Sequence, residues 1–345
     1  MGQWTVGVDV GGTEIKLGLF DDRLREKWSI PTNIQDNGSH ILSEIAESIV
    51  RKCNDIGIEA KELNGVGIGL PGPVLEGNIV KGCVNLGWSE MAVADQFSSV
   101  LAAVFDRQVQ SQAATLESRN LDIPIKAAND ANVAALGEMW IGGGKDCRNL
   151  VMVTLGTGVG GGIVVDGQIL NGVGGCAGEI GHIICVEEED IVGRCNCGNR
   201  GCLEQIASAT GIVNYARHYL SKSDIPSILR NLLEEKGSFT AKDVLDAAKS
   251  GDEAADLIMD KITMYLGRAL AGICAVVNPE CVLIGGGVSA AGEYLRAMVE
   301  KHFRGQAFPG LKNTPVRLAV LGNEAGISGA AYMIISEKNR KDSVL

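Results

Sequence analysis

The sequence predicts an α/β protein built from two related halves. Three observations lead there. Apolar strand-like runs alternate with segments of helical periodicity. The pattern strand, glycine-rich turn, strand occurs twice, as "WTVGVDVGGTEIKLGLF" at 4–20 and "RNLVMVTLGTGVGGGIVVDGQIL" at 148–170. At 345 residues the chain also exceeds what one hydrophobic core usually supports. The repeat is one of pattern, not of close sequence identity.

Taken in order, the opening stretch reads as strand, turn, strand. Residues 40–56 carry Ile41, Ile45 and Ile49 at helical spacing and predict a helix. "LNGVGIGLPGPV" (63–74) predicts a short buried strand ended by a Gly-Pro turn. From Trp88 to Leu121 glycine is absent and Ala, Ser and Gln dominate, which predicts helices. "IPIKAANDANVAALGEMW" reads as a strand that breaks into a helix across Ala127–Asp130. After the second strand–turn–strand, residues 203–277 are largely helical, with an interruption near "EKGSFTAKDV". "ECVLIGGGVS" then predicts a strand and a third glycine turn, "VRLAVLG" a strand, and "AGISGAAYMIISEK" a closing helix.

Composition narrows the function classes. The chain is 46% hydrophobic and 21% charged, as soluble globular proteins are. Its net charge of −11, with no cluster of Lys and Arg, argues against a nucleic-acid partner. No run of about 18 apolar residues suggests a membrane span, and the first residues lack the pattern of a secretory signal. A cytoplasmic location is expected. Ten cysteines there are mostly reduced. Cys53, Cys83, Cys147, Cys176, Cys185, Cys274 and Cys281 read as small buried hydrophobes.

Three glycine turns point to a nucleotide. Backbone amides approach phosphate oxygens closely only where no Cβ intervenes. Gly11-Gly12-Thr13, Gly156-Thr157-Gly158 and Gly285-Gly286-Gly287 each follow a strand, and Asp9 is placed to hold the hydration shell of Mg²⁺. The G-x-G-x-x-G spacing of Gly156, Gly158 and Gly161 is followed by a strand, so it is not a Rossmann fingerprint. No P-loop motif occurs.

"GRCNCGNRGCLEQ" (193–205) crowds Cys195, Cys197 and Cys202, with His182 the nearest upstream imidazole. One histidine and three cysteines make a closed set for a structural zinc ion. A redox pair or free thiols are the alternatives on sequence alone. Asn129-Asp130 stands at a strand–helix junction, where Asp130 could reach a cleft; local sequence favours the simpler reading of a helix N-cap.

Four stretches, "VGVDVGGTEIKLGLF", "NDANVAALGE", "LGTGVGGGIVVDGQILNGVGGCAGEIGH" and "CNCGNRGCLEQIASATG", together resemble the ROK family of sugar kinases and sugar-responsive repressors, from residue 5 to about 335. The resemblance implies the actin-like ATPase (ribonuclease H-like) fold, with two α/β domains closing over ATP and a hexose. On that basis residues 1–128 plus about 325–345 form the amino-terminal domain, and 129–324 the larger one with the zinc site. It implies Asp130 as the base for the sugar hydroxymethyl group, and Asn129, Glu179, His182 and Glu204 as sugar contacts. Gly72 and Asn85 carry less weight in that role. Asp9, Gly11, Gly12, Thr13 and Lys16, with the second and third glycine turns, are implied to hold MgATP. Zinc on His182, Cys195, Cys197 and Cys202 follows from the same resemblance.

The closest likeness is to bacterial glucokinases of this family, so ATP-dependent phosphorylation of glucose is expected. N-acetylmannosamine kinase or fructokinase is the alternative. A sugar-sensing repressor is not expected, because only eight residues precede Asp9, too few for a helix-turn-helix, and the charge is unfavourable for DNA. The run "AAVFDRQVQSQAATLES" lengthens the stretch between Asn85 and Asn129 beyond what the family usually needs, and Ala128 stands where many relatives carry Glu. A homodimer or higher homo-oligomer is expected. The acidic run "EEED" (187–190) reads as a solvated loop.

Overall fold

A computed structural model describes residues 3–112 and 123–342. The chain divides into two compact units: Met1–Gly142 with Ile169–Ala177 and Asn323–Leu345, and Gly143–Gln168 with Gly178–Gly322.

In the first unit, β1 (Trp4–Val10), β2 (Glu14–Phe20) and β3 (Leu24–Pro31) form an antiparallel meander. Helix α1 (Ile41–Ile56) buries Ile41, Ile45 and Ile49, the predicted apolar stripe. β4 (Leu63–Leu70) joins β1 in parallel. A small sheet of β5 (Val74–Leu75), β6 (Ile79–Val80) and β7 (Met91–Ala92) follows, then α2 (Val93–Gln112). Residues 113–121 of the expected helical stretch lie outside the described residues. β8 (Ile125–Asn129) pairs in parallel with β4 and turns directly into α3 (Asp130–Ile141). The sheet order is β3-β2-β1-β4-β8.

The second unit repeats that order. β9 (Leu150–Leu155) and β10 (Val159–Val165) make the antiparallel hairpin, extended by β11 (Gln168–Ile169). Helices α4 (Ala209–Lys222), α5 (Ile228–Lys236), α6 (Ala241–Lys249) and α7 (Glu253–Val277) precede β12 (Cys281–Gly285), which pairs in parallel with β9. α8 (Glu293–Gln306) leads to β13 (Val316–Leu318), parallel to β12, giving β11-β10-β9-β12-β13. Each unit has its own core, around Val6, Val8, Ile68 and Phe97 in the first and Val153, Tyr265, Ile284 and Phe303 in the second.

The last helix, α9 (Ala325–Asp342), belongs to the first unit. Glycine on the facing strands explains how it lies so close. A Cβ on Gly7 would sit 1.9 Å from the Ile327 carbonyl oxygen, and one on Gly67 1.8 Å from that of Ala330. α3 and α9 approach in the same way, a Cβ on Gly329 falling 1.6 Å from the Val133 carbonyl oxygen.

Two boundaries differ from the sequence reading. The unit boundary falls at Gly142/Gly143, not at 128/129, because β8 is a strand of the first sheet and α3 packs on α9. Residues 169–177 also join the first unit, where Gly175 lies against Val74 with only 2.8 Å between its would-be Cβ and the Val74 carbonyl oxygen. β3 and the β5–β7 sheet were not legible in sequence, being short or largely exposed. Among the described residues no helix is long and apolar enough to cross a membrane.

Candidate functional site

In the first unit, Asp9 is the penultimate residue of β1, opposite Lys16 on β2 and Gly69 on β4. Its carboxyl is pushed up to about 6, chiefly by burial and further by the negative charge of Asp130, with Lys16 opposing. Asp9 therefore senses the charge of Asp130. Gly326, at the start of α9, leaves the space the carboxylate fills: a Cβ there would stand 2.5 Å from Asp9 Oδ2. The turn beyond is closed by the Gly11 N–H donating to the Glu14 carbonyl at 3.0 Å. Thr32 braces it, donating its hydroxyl to the Gly11 carbonyl at 2.7 Å. Gly12 has open space where a Cβ would lie, and Gly12 and Thr13 are exposed. Lys16 donates to Asn323 Oδ1 at 3.0 Å. Neither Thr32 nor Asn323 nor Gly326 carried a sequence signal of its own.

The strand–helix junction resolves the reading of Asp130. Asn129, not Asp130, is the N-cap of α3, its Oδ1 accepting from the Ala131 and Asn132 N–H groups at 3.0 and 3.2 Å. Asp130 is the first helical residue and is exposed, its Oδ1 accepting from the Ala131 N–H at 2.8 Å. Capping by Asn129 fixes the direction of Asp130. The Asn129 amide donates to the Gly72 carbonyl at 3.2 Å, so these two expected sugar contacts meet. Asn85 is exposed on the 3₁₀ turn Val84–Leu86. That turn follows Cys83, whose thiol is pushed up to about 11 by burial, with Asp130 adding to the shift.

In the second unit the two remaining glycine turns are neighbours. Gly285 pairs with Thr154 across β12 and β9, and Gly286, at φ +82°, lies against the Leu155 backbone, where a Cβ would come within 2.5 Å. Both turns sit at carboxyl ends of adjacent parallel strands, the usual ligand side of such sheets. Gly156 N–H donates to the Gly158 carbonyl at 2.9 Å. Thr157, Gly286 and Gly287 are exposed.

His182, Cys195, Cys197 and Cys202 converge, with one ligand atom from each within 4.8 Å of all the others. Cys195 Sγ is 3.6 Å from His182 Nδ1, and Cys197 Sγ 3.6 Å from Cys202 Sγ. A tetrahedral zinc with Zn–S bonds of about 2.3 Å sets its sulfurs about 3.8 Å apart, so the donor set fits that ion. Burial pushes the Cys202 thiol up to about 12. Backbone bonds join the segments: the Cys185 and Val186 N–H groups donate to the Gly201 carbonyl, and Leu203 N–H to that of Ile183. His182 Nε2 stands 3.9 Å from Glu179 Oε2, so the imidazole faces the thiols with one nitrogen and Glu179 with the other. Glu204 Oε2 accepts from the Val159 N–H at 3.0 Å. Glu179 is exposed and Glu204 half-buried.

Two sequence expectations fail nearby. Cys176 is exposed and Cys185 only half-buried, because both lie in the irregular stretch between β11 and α4. "EEED" is not merely solvated: Asp190 accepts from Tyr265 Oη at 2.5 Å and Tyr215 Oη at 3.1 Å, and pairs with Lys261 at 2.9 Å.

The family model of the ROK family matches residues 5–337. A glucokinase of Halalkalibacterium halodurans is 38% identical over 98% of this chain and 96% of its own length. An N-acetylmannosamine kinase of Escherichia fergusonii is 29% identical over 97% of this chain and 99% of its own. Among solved structures, a ROK family glucokinase from Streptomyces griseus in complex with glucose and AMPPNP superposes with a TM-score of 0.69 at 29% identity, covering 96% of this chain and 98% of that one.

Proposed function

We propose, since the chain belongs to the ROK family and is an ATP-dependent sugar kinase of the actin-like ATPase fold, that its sugar is glucose and its product glucose 6-phosphate. The observation that carries the choice is the 38% identity to a glucokinase over nearly both full lengths. N-acetylmannosamine is the second reading, favoured by the similarly complete match at 29% identity.

In this reading the first unit supplies the base. A hydroxyl attacks a phosphoryl group more readily when a carboxylate accepts its proton. Asp130, aimed by the Asn129 cap, takes the proton of the 6-hydroxyl. Asn129 and Gly72 hold the sugar beside it, with Asn85 at the margin. Asp9 holds hydrated Mg²⁺, and the Gly11-Gly12-Thr13 turn and Lys16 serve the phosphates. Two acids near a polyanion repel it unless a divalent cation intervenes, which supports magnesium here.

The second unit supplies the rest. The Gly156-Thr157-Gly158 and Gly285-Gly286-Gly287 turns offer main-chain N–H groups to the nucleotide. Glu179, His182 and Glu204 contact sugar hydroxyls. Zinc held by His182, Cys195, Cys197 and Cys202 serves a structural role, cross-linking 182–186 to 195–204. The donor set and its spacing support it.

The test is ADP release from MgATP with purified protein against glucose, mannose, fructose, N-acetylglucosamine and N-acetylmannosamine. Glucose is expected to give the highest kcat/KM. Preference for an N-acetyl sugar overturns the substrate and leaves the family chemistry standing.

A further inference from the structure

We infer that Glu204 is a positioning residue for the 156–158 turn as well as a sugar contact, so that both substrates depend on one carboxylate in the second unit. The inference rests on the reading above, in which that turn serves the nucleotide and Glu204 the sugar.

The carboxylate is held from the turn side. Glu204 Oε2 accepts the Val159 N–H at 3.0 Å, the first amide after the turn. Gly158 makes room for it, since a Cβ at that position would lie 2.4 Å from the same oxygen. The backbone after Glu204 is bound to the turn as well. Ala209 N–H donates to the Gly156 carbonyl at 2.8 Å, and Thr210 Oγ1 to the Thr157 carbonyl at 3.2 Å. Ser208 locks the connection, donating its hydroxyl to the Glu204 carbonyl at 2.7 Å while capping α4 through the Gly211 N–H at 2.9 Å.

The turn is thus fastened at Gly156, Thr157 and Val159 to residues 204–210, and at Val159 the fastening is a charged side chain. A hydrogen bond from a main-chain donor to a carboxylate is stronger than a neutral one, and the amide of a buried residue such as Val159 that loses it shifts to find another. Loss of the Glu204 carboxylate therefore loosens the turn's exit and with it the amides facing the nucleotide. The alternative is that Glu204 serves the sugar alone.

The experiment is calorimetric titration of the zinc-loaded protein with Mg·AMPPNP in the absence of sugar, and separately with glucose in the absence of nucleotide. Zinc content and melting temperature are checked in every sample. Glu204→Ala is expected to weaken AMPPNP binding by about tenfold, the effect of one lost charged hydrogen bond, and to weaken glucose binding too. Glu204→Gln keeps an acceptor for the Val159 N–H, so its AMPPNP affinity stays within about twofold of wild type while glucose affinity falls. Wild-type AMPPNP affinity in Glu204→Ala overturns the inference and leaves the kinase reading intact. A wild-type protein that binds no AMPPNP overturns both. Gly158→Ala approaches the same contact from the turn and serves where Glu204→Ala loses its fold. Its methyl displaces the carboxylate from the Val159 N–H, so AMPPNP binding without sugar weakens; unchanged AMPPNP affinity there overturns the inference.

Discussion

The first hairpin ends its pairing at Val10↔Ile15, one residue past the half-buried Asp9, and the second ends at Leu155↔Val159, one residue past Thr154. Sheet order is the same in the two units, and in each an antiparallel hairpin is followed by two parallel pairings. Their turns nonetheless face opposite electrostatic conditions. Around the first, the negative charge of Asp130 adds to the burial that pushes the Asp9 carboxyl up, so an anion there meets like charge. Around the second, the carboxylate of Glu204 is already bound to a main-chain amide. A repeated topology sets where ligands gather; the side chains brought in from elsewhere decide what each turn can do there.

The sharpest break in that comparison is Asp130→Asn. If the first unit holds the base, kcat falls by about 10²–10⁴-fold while glucose affinity, followed by titration, stays near wild type. Comparable turnover removes Asp130 from the role.

Cys197→Ser tests the second unit. Removing one thiol from a closed set of four is expected to lose the zinc, measured by elemental analysis, and to lower glucose affinity at least about tenfold, as loss of ligand support does at metal sites. Unchanged zinc content defeats the assignment.

Gly329→Ala addresses the first unit's packing, with no part in chemistry. Its methyl would meet the Val133 carbonyl at 1.6 Å, backbone against backbone. A loss of roughly 3 kcal/mol or more is expected in denaturant unfolding.

Asp9→Asn yields a smaller, pH-dependent effect. Burial holds the folded-state carboxyl at about 6, above its ordinary 3.8, so the folded protein binds this proton more tightly than the unfolded chain. The stability so contributed is full below about pH 4 and is lost as pH rises through 6. The variant, which cannot ionise, should melt higher than wild type at pH 7–8 and equally at pH 4. In wild type, kcat/KM for MgATP should fall below about pH 6 as Asp9 takes up its proton.

The smallest change is Gly12→Ala, where a methyl meets nothing within 4 Å. Melting should be unaltered, with only KM for MgATP raised.

Much was determined by the sequence itself. Apolar periodicity in 4–20, 41–56 and 148–165 depends on local burial pattern, and these elements lie where the pattern put them. The Cys-x-Cys-x₄-Cys spacing keeps three thiols within one short loop whatever surrounds it, so that part of the proposed ligand set was legible; His182 joined it by proximity in sequence and by resemblance. Other features came only from tertiary packing. β3 is a half-exposed edge strand, defined by its partner β2 and not by its own apolar content. The unit boundary at Gly142/Gly143 depends on α3 meeting α9 from nearly 200 residues away. Local sequence offered Asp130 as the N-cap, and only the folded junction gave that work to Asn129. Gly326 beside Asp9 and Gly158 beside Glu204 read as ordinary turn or helix glycines until a distant carboxylate fills the space each leaves. Periodicity and short spacing are properties of neighbouring residues and can be read along the chain. Charge interaction and close approach depend on distance in space, which the fold alone sets.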